Sequence, residues 1–187
     1  MSKIRVLNMY ITGKKLLFLE LIAFAFTALA GSALHFTYEL SGYNDLAALF
    51  SPVNESVWEH LKLGYFSILF FTLLQYYSLK DSIKNIFVGK LTAALTMNLI
   101  IVIAFYTYTH FTKHPILAVD ISLYFLSAFI GHLFCYLILK SPKDLRILNL
   151  ICFISMLAIA LLFMCFTFSP PNYKIFQEAI INIIQNT

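Results

Sequence analysis

The residues of this sequence best equipped for chemistry fall in one short stretch. It reads His35-Phe36-Thr37-Tyr38-Glu39, then a turn containing Gly42 and Asn44, then Ser51-Pro52-Val53-Asn54-Glu55-Ser56-Val57-Trp58-Glu59-His60-Leu61-Lys62. His35 and Glu39 are four apart and share a face wherever the backbone is helical. Glu55, Glu59 and Lys62 follow i, i+4, i+7 along one helical stripe, with Ser56 and His60 about 100° around. Lys62 can neutralise only one of the two carboxylates, which leaves negative charge for a metal ion, a proton or a cationic ligand. His35, Glu39 and His60 are the expected metal ligands, because zinc accepts imidazole and carboxylate whereas calcium and magnesium prefer oxygen alone. Glu59 and Glu55 are the expected proton carriers beside such an ion, joined by Asp120 from farther along the chain. The plainer alternative is that carboxylates and a lysine at the start of a helix form only a capped, ion-paired end.

Other polar residues carry weaker signals. His110 and His114 have the HxxxH spacing of a zinc pair, but Pro115 disfavours helical geometry at His114. Asp120 has an alternative role in pairing with Lys113 or His114. His132 suits either a proton relay or a bond to a neighbouring helix, and Gln75, Asn98 and Asn149 read as contacts between helices. Gly31, Gly89 and Gly131 read as points of close packing. Cys135, Cys152 and Cys165 lie in apolar runs with no CxxC spacing, so they carry no redox or zinc-knuckle signal.

The elements that must position these residues are apolar helices. The chain has 187 residues, 60% hydrophobic, 17% aromatic and 12% charged, and its mean hydropathy is +0.82. A water-facing surface needs about twice that share of charge, which excludes a soluble nucleic-acid binder, a disordered chain and a disulfide-stapled module. Spanning a bilayer takes roughly 20 apolar residues. Runs of that kind lie at 16–38, 55–77, 86–108, 116–139 and 147–168. The expectation is an all-α membrane protein: one transmembrane domain over 1–187, a bundle of five transmembrane helices joined by short connections.

Charge sets the expected orientation. Lys3, Arg5, Lys14, Lys15, Lys80, Lys84, Lys90, Lys140, Lys143 and Arg146 fall on one side, and Lys62, Lys113 and Lys174 on the other. The positive-inside rule then puts the N-terminus in the cytoplasm and the chain, multi-pass, in the plasma membrane, with the lipid bilayer as partner and no nucleic acid. Tyr and Trp residues near the borders, Trp58 among them, read as interfacial anchors. The basic start and the small-residue run Ala28–Ser32 also resemble a secretory signal, although the apolar run continues past it. Pro170-Pro171 ends the fifth run, and 172–187 reads as a short interfacial helix on the outside.

Two blocks carry a resemblance: Leu34-His35-Phe36-Thr37-Tyr38-Glu39 and Pro52 through Lys62. They resemble the signature of an uncharacterised family of small bacterial multi-pass membrane proteins found chiefly in Gram-positive lineages. Tyr106-Thr107-Tyr108-Thr109, Asp120-Ile121 and Phe166 through Pro171 extend the likeness over all five runs, while the tail after Pro171 departs from the acidic, Gly-containing ending usual there. The resemblance implies fold and location and brings no established activity. Three roles stand open on the residues alone. The leading one is metal-dependent hydrolysis of a lipid-like or amide substrate at the outer membrane face, with a divalent metal such as zinc. The others are a proton- or cation-coupled binding or transport component, and a structural or regulatory membrane partner without catalysis.

Overall fold

Each apolar run forms a helix, and the helices stop where polar residues or prolines resume. The computed structural model describes residues 13–80 and 82–178. In it α1 spans Gly13–Leu40, α2 Asp45–Ala48, α3 Val57–Leu79, α4 Ile86–Thr112, α5 Leu117–Lys140 and α6 Arg146–Phe168, followed by a 3-10 turn at Lys174–Phe176. Lys3, Arg5 and the tail beyond 178 lie outside the described residues. α1 runs unbroken through Ala28–Ser32, and Thr27, Ala28 and Gly31 are buried in the bundle.

Among the described residues four helices, α1, α4, α5 and α6, are long and apolar enough to cross a membrane. They are the helices of a multi-pass membrane protein in a lipid environment, where backbone polar groups must be satisfied within each segment. α3 is as long as α6, but it carries Glu59, Lys62, Ser67, Thr72 and Gln75. Its packing explains that composition. Thirteen of its 23 residues are buried, against four of 23 in α6. α3 lies against α1, α4 and α6, so its polar groups meet protein where those of α6 would meet lipid.

Close approach of α4 and α5 depends on Gly131. A Cβ there would sit 2.7 Å from the Ala93 carbonyl oxygen, a backbone atom that cannot rotate away. Gly131→Ala is therefore expected to force the two helices apart and cost about 1–3 kcal/mol. Thermal unfolding in detergent checks this, and an unchanged melting temperature would show that the interface yields freely.

The connections between α3 and α4 and between α5 and α6 meet at one end of the bundle. Lys84 Nζ lies 3.0 Å from Asp144 Oδ2, and Asn85 Nδ2 donates to the Lys143 carbonyl at 2.8 Å. Asn149 Oδ1 accepts the Phe87 and Val88 backbone N–H groups at 2.8 and 3.3 Å. It thereby caps α4, whose N-cap residue Asn85 makes no side-chain capping bond. The hydrogen bond from Lys84, with help from Arg146, holds the Asp144 carboxyl below its ordinary range. A depressed folded value means the contribution is complete above the unfolded value and fades as pH falls through the folded one. Asp144 is solvated, so salt screens the interaction. Asp144→Asn is expected to lower the melting temperature slightly at low salt above about pH 5, the difference closing below about pH 4. A difference that grew on acidification would reverse this account.

Deeper in the bundle, Glu20 of α1 joins α4 and α5. Its Oε1 pairs with Lys90 Nζ at 2.7 Å and its Oε2 accepts from His132 Nδ1 at 3.1 Å. His132 Nε2 lies 3.0 Å from Thr27 Oγ1, and Gln75 Nε2 is 3.5 Å from Glu20 Oε1. The sequence counts Lys90 among the cations of the cytoplasmic side, near the start of the run at 86–108. Within α4 it is fully buried, because Glu20 supplies a counter-charge there. His132 takes the neighbouring-helix role.

The tail from 172 to 178 is not helical beyond its 3-10 turn. An isolated antiparallel bridge joins Ser56 to Glu178. Phe176 packs on Trp58 with centroids 4.7 Å apart, and Trp58 also meets Phe163 at 4.7 Å and Phe166 at 5.5 Å. Trp58, expected as an anchor in the headgroup layer, thus ties the tail to α3 and α6.

Candidate metal centre

At the end of the bundle away from the Lys84–Asp144 pair, α1, α3, α4 and α5 enclose a cavity of about 600 Å³. Its polar lining comes from Ser32 and His35 of α1, Glu55, His60 of α3, and Asp120 and Tyr124 of α5. The segment between α1 and α3 is tied down by Ser51, whose hydroxyl accepts from Tyr38 N at 3.0 Å and donates to the Leu34 carbonyl. Asn44 caps α2 by accepting from Leu46 N at 2.8 Å. Gly42 and Tyr43 both take positive φ to turn the chain out of α1, a conformation glycine adopts without strain.

α3 starts at Val57, and Ser56 is its N-cap, accepting from Glu59 N at 3.3 Å. Glu55 therefore precedes the helix and escapes the i, i+4 relation to Glu59. The two carboxylates go opposite ways. Glu59 is buried, with Oε2 2.5 Å from Lys62 Nζ and accepting from Val53 N at 3.1 Å. Lys62 also donates to the Ala48 carbonyl and to Thr167 Oγ1, each at 2.9 Å. Lys62 thus neutralises Glu59, and this cluster fastens α3 to α6 and to the loop. Glu55 is left facing His60.

Among the described residues, potential ligand atoms of His35, Glu55 and His60 all lie within 4.8 Å of one another. The rings of His35 and His60 meet edge to face with centroids 5.1 Å apart. His60 Nδ1 lies 2.9 Å from the Ser56 carbonyl, which can only accept, so Nδ1 carries a proton. In the neutral ring Nε2 then presents a lone pair, and it lies 3.3 Å from Glu55 Oε2. Two acceptors at that separation repel unless a cation lies between them. The cation is either a second ring proton or a metal ion. With a proton there, the hydrogen bond from His60 holds the Glu55 carboxyl below the usual carboxylate range in spite of partial burial.

The separation also suits a metal. Ligands bound tetrahedrally at about 2.0–2.1 Å stand about 3.4 Å apart, and His60 Nε2 and Glu55 Oε2 already meet that spacing. His35, whose ligand atom lies within 4.8 Å of both, is in reach to complete a three-ligand set, and tetrahedral zinc keeps its fourth position for water. The Ser56 carbonyl holding the far nitrogen of His60 is the outer contact that fixes a ligating ring.

Of the expected ligands, His35 and His60 come together and Glu39 does not. Glu39 is exposed in the last turn of α1, outside the group, and Glu55 stands in its place. Of the expected proton carriers, Asp120 lines the cavity, Glu55 lies among the ligands, and Glu59 lies in the Lys62 cluster. Asp120 is held by Tyr108, whose hydroxyl donates to Oδ1 at 2.5 Å and accepts from Ile116 N at 3.1 Å. This replaces the pairing with Lys113 or His114. His110 and His114 are exposed and outside the group. Tyr124 went unnoticed in the sequence. Its hydroxyl donates to the Thr27 carbonyl at 2.8 Å and closes the cavity floor. Gly31 permits this, since a Cβ there would fall 1.7 Å from that hydroxyl.

No curated protein and no solved structure matches the chain. Over residues 8–183 it matches the Family of unknown function (DUF6512), and the chain belongs to that family.

Proposed function

We propose that this chain is a metal-dependent hydrolase working at the outer face of a bacterial plasma membrane. The whole chain forms one transmembrane domain, with α3 as a fifth crossing sheltered by its neighbours and the N-terminus cytoplasmic. The distribution of Lys and Arg supports that orientation. His35, Glu55 and His60 are the metal ligands in this reading, and Asp120 is the general base.

The observation that carries the reading is His60 Nε2 standing 3.3 Å from Glu55 Oε2, with His35 in reach. A zinc ion held by these three residues would supply an acidified water, with a pKa of about 7. Asp120 lines the same cavity, a position from which a carboxylate would take a water's proton and pass it to a leaving group. Glu59 has no part in the chemistry; its charge is spent on Lys62.

The test is ester and amide hydrolysis by purified protein before chelation, after chelation and after zinc is restored. The expected result is activity lost and regained with zinc and, in Asp120→Asn, reduced by about 10²–10⁴-fold, the usual share of a general base. Hydrolysis indifferent to chelation, or none with zinc bound, removes the proposal.

A further inference from the structure

The cavity walls differ sharply from its head. Beyond the polar cluster the lining includes Leu63 of α3, Ile101 and Phe105 of α4, and Leu117, Ile121 and Phe125 of α5. Leu117, Ile121 and Phe125 are 74, 49 and 41% exposed. Phe36 of α1, another lining residue, is 56% exposed. The cavity is therefore open where these α1 and α5 side chains stand, and its rim there is apolar.

The hydrogen bonds that join α1 to α5 mark how far this opening reaches. Glu20–His132, Thr27–His132 and Tyr124–Thr27 all lie at the level of Tyr124 or farther from the metal centre. From Tyr124 toward the polar head, the facing walls offer apolar side chains apart from Ser32, whose hydroxyl donates to the Ala28 carbonyl of its own helix at 2.8 Å. Along α5 the slot runs from Leu117 to Phe125, eight residues or about 12 Å, which fits within one leaflet of a hydrocarbon core about 30 Å thick. Its volume falls in the range of about 300–1,000 Å³ that encloses a single small ligand.

We infer that the substrate is a single-chain amphiphile with an ester or amide head, entering sideways from the bilayer between α1 and α5. Its hydrocarbon chain lies against Ile101, Phe105, Ile121 and Phe125, and its head meets His35, Glu55, His60 and Asp120. A soluble peptide would present polar backbone to these walls and leave it without partners. The inference rests on the hydrolase reading for the fate of the head and on the apolar slot alone for the chain.

The experiment separates the two. Full-length protein in phosphatidylcholine nanodiscs is photolabelled with a long-chain fatty amide bearing a diazirine near its chain end, with and without chelator, and the labelled residues are mapped by mass spectrometry. Phe105 and Phe125 are expected to be labelled in both conditions. Ile121→Trp, which puts bulk at the mouth, is expected to abolish labelling of Phe105 while leaving that of the lipid-facing Ile154 and Leu161 of α6. Phe36→Trp closes the mouth from the opposite lip and serves if the first variant melts early. Labelling of Phe105 no greater than that of the α6 face, or unchanged in both variants, overturns the inference whatever the metal content. Slot labelling without zinc-dependent hydrolysis would instead remove the hydrolase reading and leave the amphiphile site standing.

Discussion

Replacing Lys90 with Met is expected to destabilise the protein by about 3–5 kcal/mol, because it strands the Glu20 carboxylate among buried side chains. Lys90 is fully buried and Glu20 is 2% exposed, and the bond between them is 2.7 Å long. His132 and Gln75 remain beside Glu20 in the variant and supply hydrogen bonds, but neither restores the lost ammonium charge in its neutral form. Removing both charges together, as Glu20→Gln with Lys90→Met, is expected to return most of the stability, since matched neutral groups avoid the desolvation of two ions. A double-mutant cycle of melting free energies reads the coupling. Two single variants as stable as wild type would mean that water reaches this cluster and that the helices there are looser than the distances indicate.

The second large effect separates two residues one position apart. His60→Ala is expected to lower zinc affinity by more than the about 10–100-fold that loss of an outer contact costs, because it removes a ligand. Glu59→Gln is expected to leave zinc affinity unchanged and to lower the melting temperature, because Lys62 loses its partner in a site with 0% side-chain exposure. Zinc titration of chelator-stripped protein, alongside thermal unfolding, reads both. An exchange of phenotypes, with Glu59→Gln losing zinc and His60→Ala losing only stability, would assign the metal to the wrong side of α3.

The helices were legible because hydrocarbon thickness imposes their length. The run at 86–108 became Ile86–Thr112, and that at 147–168 became Arg146–Phe168. The face on which Glu55 lies was not legible from helical periodicity, because that argument presumed the helix had already begun. Ser56 followed by Glu59 three residues later is the spacing of an N-cap, and it would have placed Glu55 outside α3. Glu20 and Lys90 are 70 positions apart, so their pairing depends on which helices are neighbours. The sequence offered only an acid in one apolar run and a base near the start of another. That Lys62 could answer only one carboxylate was visible in the chain. Which one it answers was decided by the loop, through Val53 N and the Ala48 carbonyl. Glu39 illustrates the limit of spacing arguments: it shares a face with His35 in principle, but α1 ends beyond the cavity and the side chain is left exposed.

Zinc-edge X-ray absorption on the purified protein tests most directly whether His35, Glu55 and His60 share one metal ion. One zinc per chain is expected, with nitrogen and oxygen ligands at about 2.0–2.1 Å, two imidazole signatures in wild type and one in His35→Ala. Absence of bound zinc from zinc-replete protein, or sulfur scattering at about 2.3 Å, would contradict the account.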